Sequence, residues 1–140
     1  MSTTISPVLS KKSKWYISRH QYYELKHYCL QYPEWKKMLK KLDMSPFATN
    51  NVFPSNIKDR SFDDPVGTIA TLRAYYSQKI EQLKEITRQA DPELADYILA
   101  SVTQEYSYPY LKTTMDIPCS RDTFYDRYRK FFFLLARARK

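Results

Sequence analysis

A single glycine, Gly67, serves the whole chain of 140 residues. That scarcity removes Gly-rich phosphate loops and dinucleotide fingerprints, and with them the usual nucleotide-binding enzymes. It also removes the hairpin turns that need a positive φ at glycine; the nearest approach to a hairpin dipeptide is the weakly turn-like Asn50-Asn51. Alternating β-branched segments are missing too, so strands have little support. The two cysteines, Cys29 and Cys119, form no metal or redox spacing. No apolar run approaches the roughly 20 residues of a membrane span, or the core of a signal segment. An all-α fold, a small helical bundle in a reduced cytoplasmic setting away from any membrane, is the expectation.

Two things are present in excess: basic charge and tyrosine. The net charge is +8, and its placement is uneven. Residues 1–43 hold nine Lys/Arg against three Asp/Glu, residues 44–120 seven against ten, and residues 121–140 seven against two. Both ends are basic around an acidic middle, and the simplest partner for such poles is a polyanion, most commonly a phosphate backbone. Thirteen tyrosines, clustered as Tyr22-Tyr23, Tyr75-Tyr76 and Tyr106/Tyr108/Tyr110, could stack on exposed bases. The plainer account is that tyrosine at a core edge buries its ring and keeps its hydroxyl wet.

Four regions follow along the chain. Residues 1–17 read as a mobile basic arm, Ser/Thr-rich at first and then carrying Lys11, Lys12 and Lys14. Residues 18–43 read as a helical pair. Ser18 with Gln21 is a capping-box pattern, and the helix it opens carries Tyr22, Leu25 and Cys29; Pro33 then starts a helix with Trp35, Met38, Leu39 and Leu42 inside and Lys36, Lys37, Lys40 and Lys41 outside. Residues 44–63 lack periodicity and read as a linker, in which Phe47, Val52, Phe53 and Phe62 are candidate pins to the core. Residues 64–140 read as a helical domain. Asp64-Pro65 starts its longest helix, with Ile69, Leu72, Tyr76, Ile80, Leu83 and Ile86 on a seam that suits either core packing or a homodimer contact. Asp91-Pro92 repeats the device ahead of Leu94, Ile98 and Val102, in a helix expected to reach about Glu105.

Residues 107–140 form a short helix, a Pro-containing break and a longer helix, which is the outline of a helix-turn-helix. Ser107 and Pro109 open the first, with Tyr110, Leu111 and Met115 as its apolar contacts, and Asp116-Ile117-Pro118 stops it. Such turns often contain glycine, and this one has none. Ser120 caps the second helix, with Asp122 complementing the positive end of the helix dipole. At about 100° per residue, Phe124, Tyr128, Phe131, Leu135 and Ala138 share a stripe, with Phe132 at its edge. The opposite arc in the first turns presents Arg121, Asp122, Tyr125, Asp126 and Arg129, the placement a major-groove reading helix requires. With Ser120, Lys130 and the arm lysines Lys11, Lys12 and Lys14, these are the candidate DNA-binding residues. Phe133 lies off the stripe and must be covered by the N-terminal helices or by a partner.

Other constellations are weaker. His20, Glu24 and His27 sit at i, i+4 and i+7 and could face one metal ion, but a fourth ligand is not evident. The acidic pairs Asp63-Asp64 and Asp122/Asp126 stand where helix caps and surface ion pairs use carboxylates, so no catalytic residue, metal or cofactor is assigned.

The segment Ile117–Phe132, IPCSRDTFYDRYRKFF, resembles the tail of small regulators of phages and prophages of Gram-positive bacteria, of the ArpU/RinA type. Trp15–Lys41, with Tyr-Pro-Glu-Trp at residues 32–35, is similar to other phage proteins of that kind. The resemblance implies a C-terminal helix-turn-helix like the promoter-reading part of sigma factors, control of late phage genes, and a place in the host bacterial cytoplasm. It sets Ser120–Arg129 at the start of the DNA-reading helix and Tyr110–Met115 as its support. The function expected is therefore sequence-specific binding of double-stranded DNA by a transcriptional regulator, as a homodimer or together with RNA polymerase. Two alternatives stay open: a phage protein that inhibits or redirects a host protein or ribonucleoprotein, and a DNA-packaging accessory protein.

Overall fold

The computed structural model describes residues 14–44 and 65–139. These residues are helical, and no strand occurs among them. The helices are α1 (Arg19–Leu30), α2 (Tyr32–Met44), α3 (Pro65–Ala90), α4 (Ala95–Gln104), α5 (Tyr108–Thr114) and α6 (Arg121–Ala138). None is long and apolar enough to cross a membrane.

Local chemistry accounts for most of the boundaries. Ser18 holds extended backbone and its Oγ accepts from the Gln21 amide at 3.1 Å, satisfying one of the orphan donors at the start of α1. The chain turns at Gln31 and resumes as α2 one residue before Pro33. Asp91 behaves differently from the expected helix start. Its Oδ1 accepts from the amides of Glu93 and Leu94, at 2.9 and 3.2 Å, and this closes residues 91–94 into a turn, so that α4 begins only at Ala95. The end of α4 is set by Glu105, whose φ of 60° is left-handed. Ser101 Oγ secures that exit by donating to the Tyr106 carbonyl at 2.7 Å.

By compactness the described chain divides into two units, residues 14–31 with 82–139, and residues 32–44 with 65–81. The expected pair α1 and α2 is thus parted between them, and α3 contributes to both. In the first unit α1, α4 and α6 pack on one another. Their core includes Leu25, Cys29, Ile98, Phe124, Phe131, Phe132 and Leu135, together with Leu83 of α3, all essentially inaccessible to water. Each buried Phe or Leu contributes about 1.5–3 kcal/mol through loss of apolar surface to water. In the second unit Leu42 of α2 joins Ile69 and Leu72 of α3, with Met38 and Tyr76 packed against them. Arg73 closes this small core at its edge: Nε meets Asp43 Oδ1 at 2.9 Å and Nη2 donates to the Leu42 carbonyl at 3.3 Å.

The seam of α3 is used within the chain, since Ile69, Leu72, Ile80, Leu83 and Ile86 are all buried. Residues 15–17, assigned to a mobile arm in sequence, are packed: Ile17 is buried and Trp15 makes a ring contact. Indole and isoleucine are too apolar to remain in water beside an apolar surface. Lys11, Lys12 and the 45–63 part of the expected linker, including Phe47, Val52, Phe53 and Phe62, lie outside the described residues.

Candidate nucleic-acid interface

The C-terminal pair is built around a turn without glycine. The Met115 and Ile117 amides both donate to the Leu111 carbonyl, at 3.0 and 3.3 Å, which folds the chain back on the end of α5. Between them Asp116 adopts φ 50°, the left-handed conformation that glycine or asparagine usually supplies after a helix. Asp tolerates it better than most residues because its short polar side chain can bond locally. Leu111 and Ile117 are wholly buried and pin the turn from below. Tyr108 reaches across it, its hydroxyl donating to the Cys119 carbonyl at 2.5 Å. Ser120 then caps α6, its Oγ accepting from the Thr123 amide at 3.2 Å. Ser107 begins α5 through its backbone, without a side-chain cap bond. Tyr110, expected as an apolar contact, is instead 42% exposed and stacks on Tyr106 with centroids 4.3 Å apart.

The buried face of α6 is Phe124, Tyr128, Phe131, Phe132, Leu135 and Ala136, while Ala138 is exposed. Compared with the stripe expected from sequence, its centre is rotated by roughly 40° towards Phe132 and Ala136. The cause is aromatic packing across helices: Phe132 meets Tyr22 of α1 edge-on at 5.1 Å and Tyr128 at 5.0 Å. Tyr22 and Tyr128 share a buried hydroxyl–hydroxyl bond of 2.9 Å. Burial pushes both phenols above their ordinary range, Tyr128 well above it.

This rotation redistributes the candidate residues. Arg121, Asp122 and Ser120 are exposed at the start of α6. Tyr125 is half-buried on the flank of the core, where its hydroxyl accepts from the Tyr108 amide at 3.4 Å and its ring lies 5.7 Å from the Arg121 guanidinium. It therefore supports α5 instead of facing outward. Asp126 is held by Arg127. Arg127 also meets Asp91 at 3.1 Å, tying α6 to the turn before α4. Arg129 and Lys130 are half-buried, and neither is ion-paired among the described residues.

Phe133, expected beneath the N-terminal helices or a partner, meets a residue ahead of α1. Trp15 meets it edge-on with centroids 5.5 Å apart, and Lys14 and Lys130 place their ammonium groups 5.1 and 5.3 Å from the Trp15 centroid. Arg137 lies 5.6 Å from the Phe133 ring and Arg139 3.7 Å from that of Tyr28. The one signal available was Phe133 itself, an aromatic side chain off the seam. Arg127 gave no signal, because its partner Asp91 is 36 positions away.

The chemistry this surface offers is charge recognition. Both cysteines are free, and burial raises their thiol pKa, assisted at Cys119 by the Asp91 carboxylate, so neither is poised as a thiolate. His20, Glu24 and His27 are exposed on α1, and no group of three His, Cys, Asp or Glu that could hold a metal ion occurs among the described residues. Compared with known proteins, the chain matches no family model, no curated protein and no solved structure.

Proposed function

We propose that this protein is a double-stranded-DNA-binding transcriptional regulator of phage type, in which α5 and α6 act as a helix-turn-helix and α6 enters the major groove. One observation carries the reading. Of the cations described on α6 and its C-cap, Arg127 alone is ion-paired, while Arg121, Arg129, Lys130, Arg137 and Arg139 have no carboxylate partner among the described residues. Four of these five rest against aromatic rings. Aromatic faces hold a cation in place without neutralising it, so the helix keeps its charge for an external anion. The short α5, the left-handed Asp116 turn and the capped start of α6 support the motif, as does the resemblance of Ile117–Phe132 to phage regulators.

In this reading Arg121 and Arg129 supply guanidinium forks for guanine edges. Tyr125 fixes α5 behind them, and Lys130 with Lys14 meets phosphates. Titration of target and scrambled duplexes at several salt concentrations tests it. Affinity is expected to fall steeply with salt as counterions are released, and Arg129→Ala to reduce discrimination by about 1–3 kcal/mol. Absence of duplex binding at low salt sinks the reading; equal binding of every sequence by wild type and variant removes its base-reading part.

A second reading, a phage protein that captures a host protein, is favoured by the exposed Tyr110, stacked on the half-buried Tyr106 beside the exposed Pro109. Pull-down from nuclease-treated host lysate separates the two. One stoichiometric protein recovered without nucleic acid, from a chain that binds no duplex, supports capture.

A further inference from the structure

The late turns of α6 are built differently from its start. Measured round the helix at about 100° per residue, Lys130 and Arg137 point almost directly away from the buried face, with Phe133 between them along the axis and to one side. The start of that outward arc carries the carboxylates Asp122 and Asp126, so it is mixed in sign, whereas the later turns are purely cationic. Onto this cationic part the chain folds Lys14 and Trp15 from more than a hundred residues earlier. Two ammonium groups, 5.1 and 5.3 Å from one indole centroid, lie within about 10 Å of each other, no more than a Debye length at 0.1 M salt, so they feel each other's repulsion. The nearest carboxylate along the helix, Asp126, one turn before Lys130, is already engaged by Arg127.

The geometry points to a phosphodiester-binding site formed by Lys14, Lys130 and Arg137 around the Trp15–Phe133 pair. The inference rests on the DNA-binding reading for its ligand and adds a division of labour within α6. The first turns read base edges. The later turns, with the N-terminal segment folded over them, grip the backbone. Trp15 is a positioning residue: its ring spaces the two ammonium groups, and a phosphate between them relieves their mutual repulsion. A backbone grip carries no sequence information, so its loss weakens every duplex alike.

The chain has two tryptophans, Trp15 and Trp35, and Trp35→Phe leaves Trp15 as sole reporter in the full-length protein. Titration with a duplex is expected to change its emission, and the change is expected to vanish when Lys14→Gln and Lys130→Gln are added. In salt titrations the double Gln variant should lose about 0.9 units of the log–log salt slope for each phosphate contact removed. Affinity for target and scrambled duplexes should fall by the same factor, with their ratio unchanged, whereas Arg129→Ala should change the ratio. Trp15→Leu should lower the slope as well, and Trp15→Phe should restore it; a merely structural Trp15 would alter stability and leave the slope alone. Wild-type binding with an unchanged slope and affinity in the double Gln variant overturns the site and leaves the DNA-binding reading standing. Failure of the wild type to bind any duplex overturns both.

Discussion

The hydroxyl pair Tyr22–Tyr128 shows how much a single polar contact can weigh inside an aromatic core. A Tyr128 side chain 1% exposed to solvent cannot exchange its protein partner for bulk water, so the 2.9 Å bond is its means of satisfaction. Tyr22→Phe strands the Tyr128 hydroxyl and is expected to cost about 1–3 kcal/mol, the desolvation penalty of an unpaired buried group. Adding Tyr128→Phe removes the stranded oxygen, so the double variant should be less destabilised than the sum of the singles. A double-mutant cycle by chemical denaturation measures this, and strictly additive costs would show that the two hydroxyls do not depend on each other. Arg127 is a comparable case at the surface. Its guanidinium holds Asp126 on its own helix and Asp91 at the turn before α4, and so ties α6 to that turn.

Among the elements, what could be read in advance depended on how local its cause was. Ser18, Ser120 and Pro65 marked helix starts because a cap or a fixed φ acts within one turn. The seam of α3 was legible because a long helix repeats its signal. Three features were not. The start of α4 slipped to Ala95 because the Asp91 carboxylate capped a turn; the roll of α6 was decided by Phe132 meeting Tyr22 across a hundred residues of chain; and the cationic cluster depended on Trp15 docking onto Phe133. The candidate site was accordingly legible as a basic helix and not as a set of directions, since Tyr125 turned inward to support α5 and Lys130 is half-buried against Trp15. The turn between α5 and α6 supplies the test at this scale. A left-handed conformation costs an ordinary L-residue about 1–2 kcal/mol, and most of all a β-branched one. With Asp116 at φ 50°, Asp116→Gly should hold or raise the thermal midpoint, and Asp116→Val should lower stability by about 1–2 kcal/mol. Equal tolerance of valine and glycine would mean that the turn does not have this form.

Among the described residues, cations lie mostly at or near the surface while the Cys29 thiol and the Tyr22 and Tyr128 phenols are buried, and the two sets respond to different solution conditions. Salt acts on the first, through the counterions that any polyanion must displace. Alkali acts on the second. Cys29, Tyr22 and Tyr128 have pKa values raised in the fold, in each case chiefly by burial, which disfavours the ionised form. The unfolded chain releases these protons at ordinary values, about 8.5 for the thiol and about 10 for the phenols, so it binds fewer protons than the fold above those points. Stability is therefore full below about pH 8.5 and declines as pH rises, by about 1.4 kcal/mol per pH unit for each group that stays neutral in the fold. Denaturant midpoints measured from neutral pH to about 11 should show a plateau, a shallow fall above about 8.5 and a steeper one above about 10. Cys29→Ala should remove most of the shallow part and leave the share contributed by the raised Cys119 thiol, whatever it costs in packing. A midpoint that stays level through pH 11 would place these side chains in contact with water and contradict the core described for α1 and α6.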